Sequence, residues 1–161
     1  FVPEGRHEVT TEGGLDIVSQ ESRLKDAVAR LAEQGIIVSV FIDAEIAQVE
    51  AAARIGAKVC EIHTGPYAHV FHGAGRDAES PAVLAEIDKI RQAGAAIRQL
   101  GLRFNAGHAL NYYNVEPVAR LADIRELHIG HAIVSRSIFV GLREAVREMK
   151  SLMREAAKAG E

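Results

Sequence analysis

Two glycine–histidine pairs stand where apolar, strand-like segments of the sequence end. The first is Gly107-His108 in "RFNAGHALNYYN", and the second is Gly130-His131 in "ELHIGHAIVS". Glycine leaves room for a phosphate to approach backbone N–H groups, and the amino terminus of a following helix attracts the anion. A histidine beside that anion can donate hydrogen bonds or move protons. The two pairs together predict an anion site with acid–base chemistry beside it, although either glycine alone also fits an ordinary turn.

A carboxylate and an imidazole lie two residues apart in the strand-like segment "KVCEIH". Glu61 and His63 therefore point to the same face of the strand, and Asp43 ends the preceding apolar segment. Burying polar groups on a strand costs free energy unless they pair with each other or bind a ligand. A structural ion pair at the end of the strand is the alternative to a functional role.

The histidines also raise the question of a metal. Four residues offer ligand types that zinc takes: Glu61, His63, His108 and His131. No tight spacing such as H-x-x-x-H joins them, so we expect no metal site. The other histidines fit plainer roles: His69 and His72 in a solvated loop, His128 on the strand face turned toward the helices, and His7 without a chemical task.

Strand-length apolar segments alternate with helical patterns along the chain. Strands are predicted at Ile36–Ile42, Lys58–His63, Leu102–Ala106 and Glu126–Ile129, after a short apolar stub at Phe1-Val2. Helices are predicted at residues 21–34, 44–55, 81–100, 115–122, 131–139 and 142–158, with a long loop at 66–80. Regular β–α alternation predicts a parallel sheet covered by helices.

Two architectures have this alternation. A doubly wound sheet would carry a G-x-G-x-x-G fingerprint after an early strand, and the sequence has none. A (β/α)8 TIM barrel places its chemistry at the carboxyl ends of its strands and often binds phosphate near its last two strands. The barrel is therefore favoured. Because a whole barrel takes ~250 residues, we expect residues 1–161 to form the C-terminal segment of one barrel domain, from the end of strand 4 to helix 8.

Composition limits the classes of function. A net charge of −3 and 5% aromatic residues give no signal of nucleic-acid binding. No apolar run approaches the ~18 residues of a membrane span, so no membrane role is expected. The single cysteine, Cys60, excludes an internal disulfide and fits a reducing compartment, from which we expect a cytoplasmic protein.

Seven collinear motifs resemble the C-terminal part of the pyridoxine 5′-phosphate synthase family: "FVPE", "EVTTEGGLD", "VSVFIDA", "EIHTG", "NAGHALNY", "IGHAIVSRSIF" and "GLREAVREMKSLM". The resemblance implies a TIM barrel that condenses 1-deoxy-D-xylulose 5-phosphate with 3-amino-2-oxopropyl phosphate into pyridoxine 5′-phosphate, phosphate and water. It also implies no metal or redox cofactor, and assembly as homo-oligomers, which are octamers in the family.

The same resemblance implies roles for individual residues. His108 in "NAGH" matches the family's catalytic proton donor, and Glu61 in "EIHTG" matches a residue that stabilises the transition state. Thr10 in "EVTTEGG" matches a substrate contact on a loop over the active site, and Gly130 and His131 match the phosphate-binding pair. The family's other catalytic histidine and glutamate lie on the first strands, outside this chain.

Two features depart from the family pattern. Ala109 stands where the family often has a glycine that contacts substrate, and a contact through the backbone would survive that change. The segment 66–80 is also longer than is usual in the family.

Three functions remain open at this point. The chain is a segment of a synthase that is active only when complete, or it is a non-catalytic half-barrel that at most binds phosphate. The third is another phosphate-binding barrel such as an aldolase, but the only lysine near a strand, Lys58, begins a strand rather than ending one.

Overall fold

The structure is a computed structural model that describes residues 1–3 and 13–160. Thr10 and His7 lie outside the described residues. Within the described residues the sheet has four strands, in the order β1-β2-β3-β4 and all parallel: β1 Ser39–Ile42, β2 Val59–His63, β3 Arg103–Gly107 and β4 Glu126–His128. The helices are α1 Glu21–Ala32, α2 Ile46–Arg54, α3 Gly65–Gly73, α4 Pro81–Gln99, α5 Val115–Ala119, α6 His131–Val140 and α7 Leu142–Ala159, with a 3₁₀ turn at Val18–Gln20.

One face of the sheet is apolar and packs under helices. Two rows of paired residues form that face: Val40, Cys60 and Phe104 in the first, and Ile42, Ile62, Ala106 and Leu127 in the second. Side chains paired across parallel strands point the same way, so these rows join the hydrophobic core. The thiol of Cys60 belongs to this core, and burial raises its pKa to about 12.

The opposite face of the sheet carries polar residues. Phe41, Glu61, Asn105 and Glu126 form one paired row there, and the row nearer the carboxyl ends is His63, Gly107 and His128. Consecutive strands are neighbours and helices cover only one face, which is the arrangement of a (β/α)8 barrel whose interior is the polar face. The predicted fold class is therefore confirmed: the chain forms part of a TIM barrel.

The predicted loop at 66–80 is wrong in its first half. Residues Gly65–Gly73 form α3, which buries Tyr67, Ala68 and Phe71 on one side. Pro66 occupies the first helical turn, where its missing N–H costs nothing. Tyr67 and Phe71 are four residues apart, which is the spacing of one helix face.

The first predicted strand is also shorter than expected. Ile36 and Ile37 are 50% and 60% exposed and precede β1, which begins at Ser39. The N–H of Ile36 donates to the carbonyl oxygen of Leu31, so this residue closes the end of α1 instead of extending the sheet.

None of the described helices is both long enough and apolar enough to cross a membrane.

Candidate active site

Five of the six predicted site residues line one cavity at the carboxyl ends of the strands. The cavity has a volume of about 330 Å³, and its lining includes Glu61, His108, Ala109, Gly130 and His131. The loops after β3 and β4 bring the last four of these beside Glu61, which comes from β2. The sixth, Thr10, falls in the part of the chain that the structure does not describe.

Both carboxylate oxygens of Glu61 have close neighbours. Oε2 lies 2.6 Å from Nδ1 of His128, and the side chain is 17% exposed. Oε1 lies against the backbone of Gly107, where an added Cβ would stand only 2.5 Å from that oxygen. Gly107 thus makes room for the carboxylate, which is a packing reason distinct from the approach of an anion.

His128 is a site residue that the sequence reading missed. It was expected to face the helices, but it is paired with Gly107 on the polar face, and Leu127 faces the helices instead. Burial lowers the pKa of His128, but hydrogen bonding and charge from Glu61 and then Glu126 outweigh it, so the net pKa is raised. The spacing of Glu126 and His128, which repeats that of Glu61 and His63, was the signal available in the sequence.

His63 pairs with Asp43 and not with Glu61. Its Nδ1 lies 2.9 Å from Oδ1 of Asp43, and the residue is only 6% exposed. Asp43 also accepts a hydrogen bond from the N–H of Gly14. The ring of His63 lies 5.1 Å, centre to centre, from the ring of His108. Asp43 therefore orients a buried imidazole against the one that lines the cavity.

The loop that carries His108 has an unusual backbone. His108 and Ala109 have φ values of 81° and 58°, a conformation that costs a non-glycine residue roughly 1–3 kcal/mol. The hydroxyl of buried Thr64 lies 2.7 Å from the carbonyl oxygen of Gly107 and 2.5 Å from that of His108. Asn114 donates through Nδ2 to the carbonyl oxygen of Ala109. Side-chain hydrogen bonds thus stabilise the strained pair, and the φ of Ala109 explains why glycine suits this position.

The pKa of His108 is lowered. Partial burial is the main cause, and positive charge on His63 and His131 adds to it, while Glu61 acts in the opposite direction. Because an ordinary histidine titrates near ~6.5, the His108 imidazole is mostly neutral at neutral pH. It is ready to accept a proton before it donates one.

Gly130 lies at the amino terminus of α6 with open space in front of it. It is the N-cap residue, no atom lies within 4 Å of an added Cβ, and the first turn of α6 contains no acidic residue. Backbone N–H groups of a first helical turn have no partner within the helix and favour anions. The amino terminus of α6 at Gly130 and His131 therefore opens onto the cavity, where anion binding stays a prediction.

Among the described residues, no group of three or more His, Cys, Asp or Glu side chains is arranged to hold a metal ion. Glu61, His63, His108 and His131 are used in the pairs and the cavity described above.

Residues 1–155 match the family described as "Pyridoxal phosphate biosynthesis protein PdxJ". The chain belongs to this family. Several of its curated relatives carry the name pyridoxine 5′-phosphate synthase. Those of Azoarcus sp. (strain BH72) and Dechloromonas aromatica (strain RCB) are 81% and 78% identical to it, over 98% and 100% of the chain. The synthase of Magnetococcus marinus is 51% identical over 98% of the chain.

The chain spans less than two thirds of the length of these PdxJ proteins. It covers 63%, 64% and 62% of the Azoarcus, Dechloromonas and Magnetococcus sequences, respectively.

Proposed function

We propose that the chain contributes to a pyridoxine 5′-phosphate synthase. The reaction condenses 1-deoxy-D-xylulose 5-phosphate with 3-amino-2-oxopropyl phosphate and yields pyridoxine 5′-phosphate, phosphate and water. The observation that carries the proposal is the convergence of Glu61, His108 and the amino terminus of α6 on one cavity of about 330 Å³. The names of its PdxJ relatives support the same activity.

The phosphate of a substrate binds at Gly130 and His131. The free N–H groups at the start of α6 donate to its oxygens, and the open space before Gly130 lets the anion approach them. The side chain of His131 lies on the same cavity wall. A phosphate held there stands beside His108, which lines the same cavity.

His108 transfers protons during the condensation. It is mostly neutral in the free protein because burial and neighbouring histidines lower its pKa. A bound phosphate brings negative charge close to the imidazole, and an opposite charge favours the protonated form. Phosphate binding thus converts His108 into the proton donor that loss of water and phosphate requires.

Glu61 stabilises positive charge that develops on the substrates. Oε2 of its carboxylate pairs with His128, and Oε1 fits against the backbone of Gly107. The carboxylate therefore needs little reorganisation when an iminium or imidazolium group forms nearby. Thr10 would add a substrate contact, as the family resemblance implies.

The protein assembles as a homo-oligomer in this proposal. Val134, Ile138 and Phe139 of α6 are 61%, 79% and 82% exposed, which leaves apolar area available for contact with further protein.

The activity is tested with the full-length protein that carries these residues. It is incubated with both phosphorylated substrates, and pyridoxine 5′-phosphate and inorganic phosphate are measured together. Release of the two products in equal amounts is expected. Phosphate binding without product formation would favour the non-catalytic alternative and refute the proposal.

Replacing Gly130 by leucine is expected to weaken the binding of inorganic phosphate by about tenfold, or ~1.4 kcal/mol. The leucine side chain would fill the space through which the anion reaches the first turn of α6. Isothermal titration calorimetry measures the affinity. Gly73→Leu is the matched control, because Gly73 also has no atom within 4 Å of an added Cβ but lies on α3. Equal affinity in both variants would exclude Gly130 from the phosphate site.

Inorganic phosphate is expected to raise the pKa of His108. In the free protein, burial and neighbouring positive charge lower the pKa of His108, and an adjacent anion opposes both effects. NMR titration of protein with isotope-labelled histidines, with and without phosphate, measures the change in this pKa. His69 and His72, exposed on α3 and outside the cavity, serve as internal controls whose NMR signals are expected not to respond to phosphate. An unchanged or lowered pKa of His108 would contradict the proposed contact.

A further inference from the structure

We propose that His128 is a positioning residue that holds the carboxylate of Glu61 in its working orientation in the cavity. This inference rests on the proposed function for its catalytic consequence. It extends the site by one residue to which the family resemblance gives no role.

The contact between the two side chains is short and direct. Nδ1 of His128 lies 2.6 Å from Oε2 of Glu61, which is the distance of a close ion pair. Oε1 of the same carboxylate lies against the backbone of Gly107. Rotation of the Glu61 carboxylate would separate Oε2 from Nδ1 of His128 and move Oε1 away from the backbone of Gly107. His128 therefore determines where the negative charge of Glu61 lies.

The imidazole of His128 is anchored on its other side as well. Its Nε2 lies 3.4 Å from Oε2 of Glu126, and the same oxygen accepts a hydrogen bond of 3.2 Å from Nδ2 of Asn105. Asn105 is buried in β3 and is only 3% exposed. A chain of polar contacts thus runs from the sheet interior through Glu126 and His128 to Glu61, and it links strands β2, β3 and β4.

Both charged groups that contact His128 favour its charged form. Glu61 approaches from β2 and Glu126 lies on β4, while the β3 partner of His128, Gly107, has no side chain. These carboxylates outweigh burial and raise the pKa of His128. The imidazolium form is therefore fully present below the ordinary histidine pKa and is lost as the pH rises through the raised value.

A purely structural role does not account for the position of the pair. The side chain of His128 is 44% exposed, and exposed ion pairs contribute little to stability. Both His128 and Glu61 line the cavity that holds His108 and Gly130. The pair therefore lies where chemistry is proposed.

The catalytic test compares two substitutions of His128 in the full-length protein. His128→Leu removes the polar contact with Glu61 and is expected to lower kcat about tenfold or more, since small displacements of a reacting group are costly, while KM changes less than threefold. His128→Asn keeps an N–H donor near the place of Nδ1 but has no titratable charge. It is expected to keep at least a third of wild-type kcat.

Two kinetic results would overturn the proposal. One is wild-type kcat in His128→Leu. The other is an equal loss of kcat in His128→Leu and His128→Asn, because the polar contact with Glu61 would then not be the cause of the loss.

A second measurement separates this proposal from the proposed activity. NMR titration of His128 in the wild type and in Glu61→Gln requires no turnover. The pKa of His128 is expected to fall in Glu61→Gln, since the largest opposing charge has been removed. An unchanged pKa would show that the two side chains do not pair, whether or not the protein forms product. If the pKa of His128 falls in Glu61→Gln but the wild-type protein forms no product, the pairing of His128 with Glu61 is supported and the synthase activity is rejected.

Discussion

Replacing His108 by asparagine is expected to lower kcat ~100-fold or more, the usual contribution of a positioned acid–base group. Asparagine can keep a hydrogen bond but cannot carry the proton. Asparagine also tolerates the left-handed backbone, so the φ of 81° at this position does not by itself destabilise the variant. Steady-state kinetics with both substrates measure the loss, and circular dichroism checks the fold.

The control for this experiment is His72→Asn. His72 is an exposed residue of α3 outside the cavity, and its replacement is expected to leave kcat unchanged. Wild-type turnover in His108→Asn would remove His108 from the mechanism, whatever the cavity geometry.

Replacing Gly107 by alanine is expected to damage both stability and turnover. The new Cβ would stand 2.5 Å from Oε1 of Glu61 and 2.9 Å from both Cβ and the carbonyl oxygen of His128. The backbone contact cannot be relieved by rotating a side chain, and overpacking of this kind costs roughly 1–3 kcal/mol. Displacement of the Glu61 carboxylate should lower kcat by about tenfold or more.

Urea unfolding gives the change in the free energy of unfolding, and kinetics on the same preparation give kcat. Gly73→Ala is the comparison, because an added Cβ there meets no atom within 4 Å. A Gly107→Ala protein with unchanged unfolding midpoint and unchanged kcat would mean that Glu61 is free to move, against the structure described above.

The order of the strands and the edge on which the chemistry lies could be predicted from the sequence. Alternating apolar strands and helices define a parallel sheet, and parallel strands present their carboxyl ends at one edge. Glu61, His108 and Gly130 could therefore be expected near one another before any coordinates. Their positions depend only on where each strand ends, which is local information.

The partners of the charged side chains could not be predicted in the same way. Asp43 meets His63 and Glu61 meets His128 because of the register between different strands, and a single strand does not encode that register. The three-residue strand β4 is too short for its alternation to show which face is buried, so His128 was assigned to the wrong side. The left-handed backbone of Ala109 was likewise hidden, because alanine gives no sign of a positive φ.

Helix α3, which lies in a segment that was expected to be a loop, supports the loop that carries His108. The hydroxyl of Tyr67 donates to the carbonyl oxygen of Asn114, and Asn114 in turn donates to the loop of His108 and Ala109. This brace is complete by Phe71, the last buried residue of α3. Residues 74–80 follow it and contribute none of the cavity lining. The exposed residues of this connection, such as Asp77 and Glu79, are therefore suitable places for a fluorescent label.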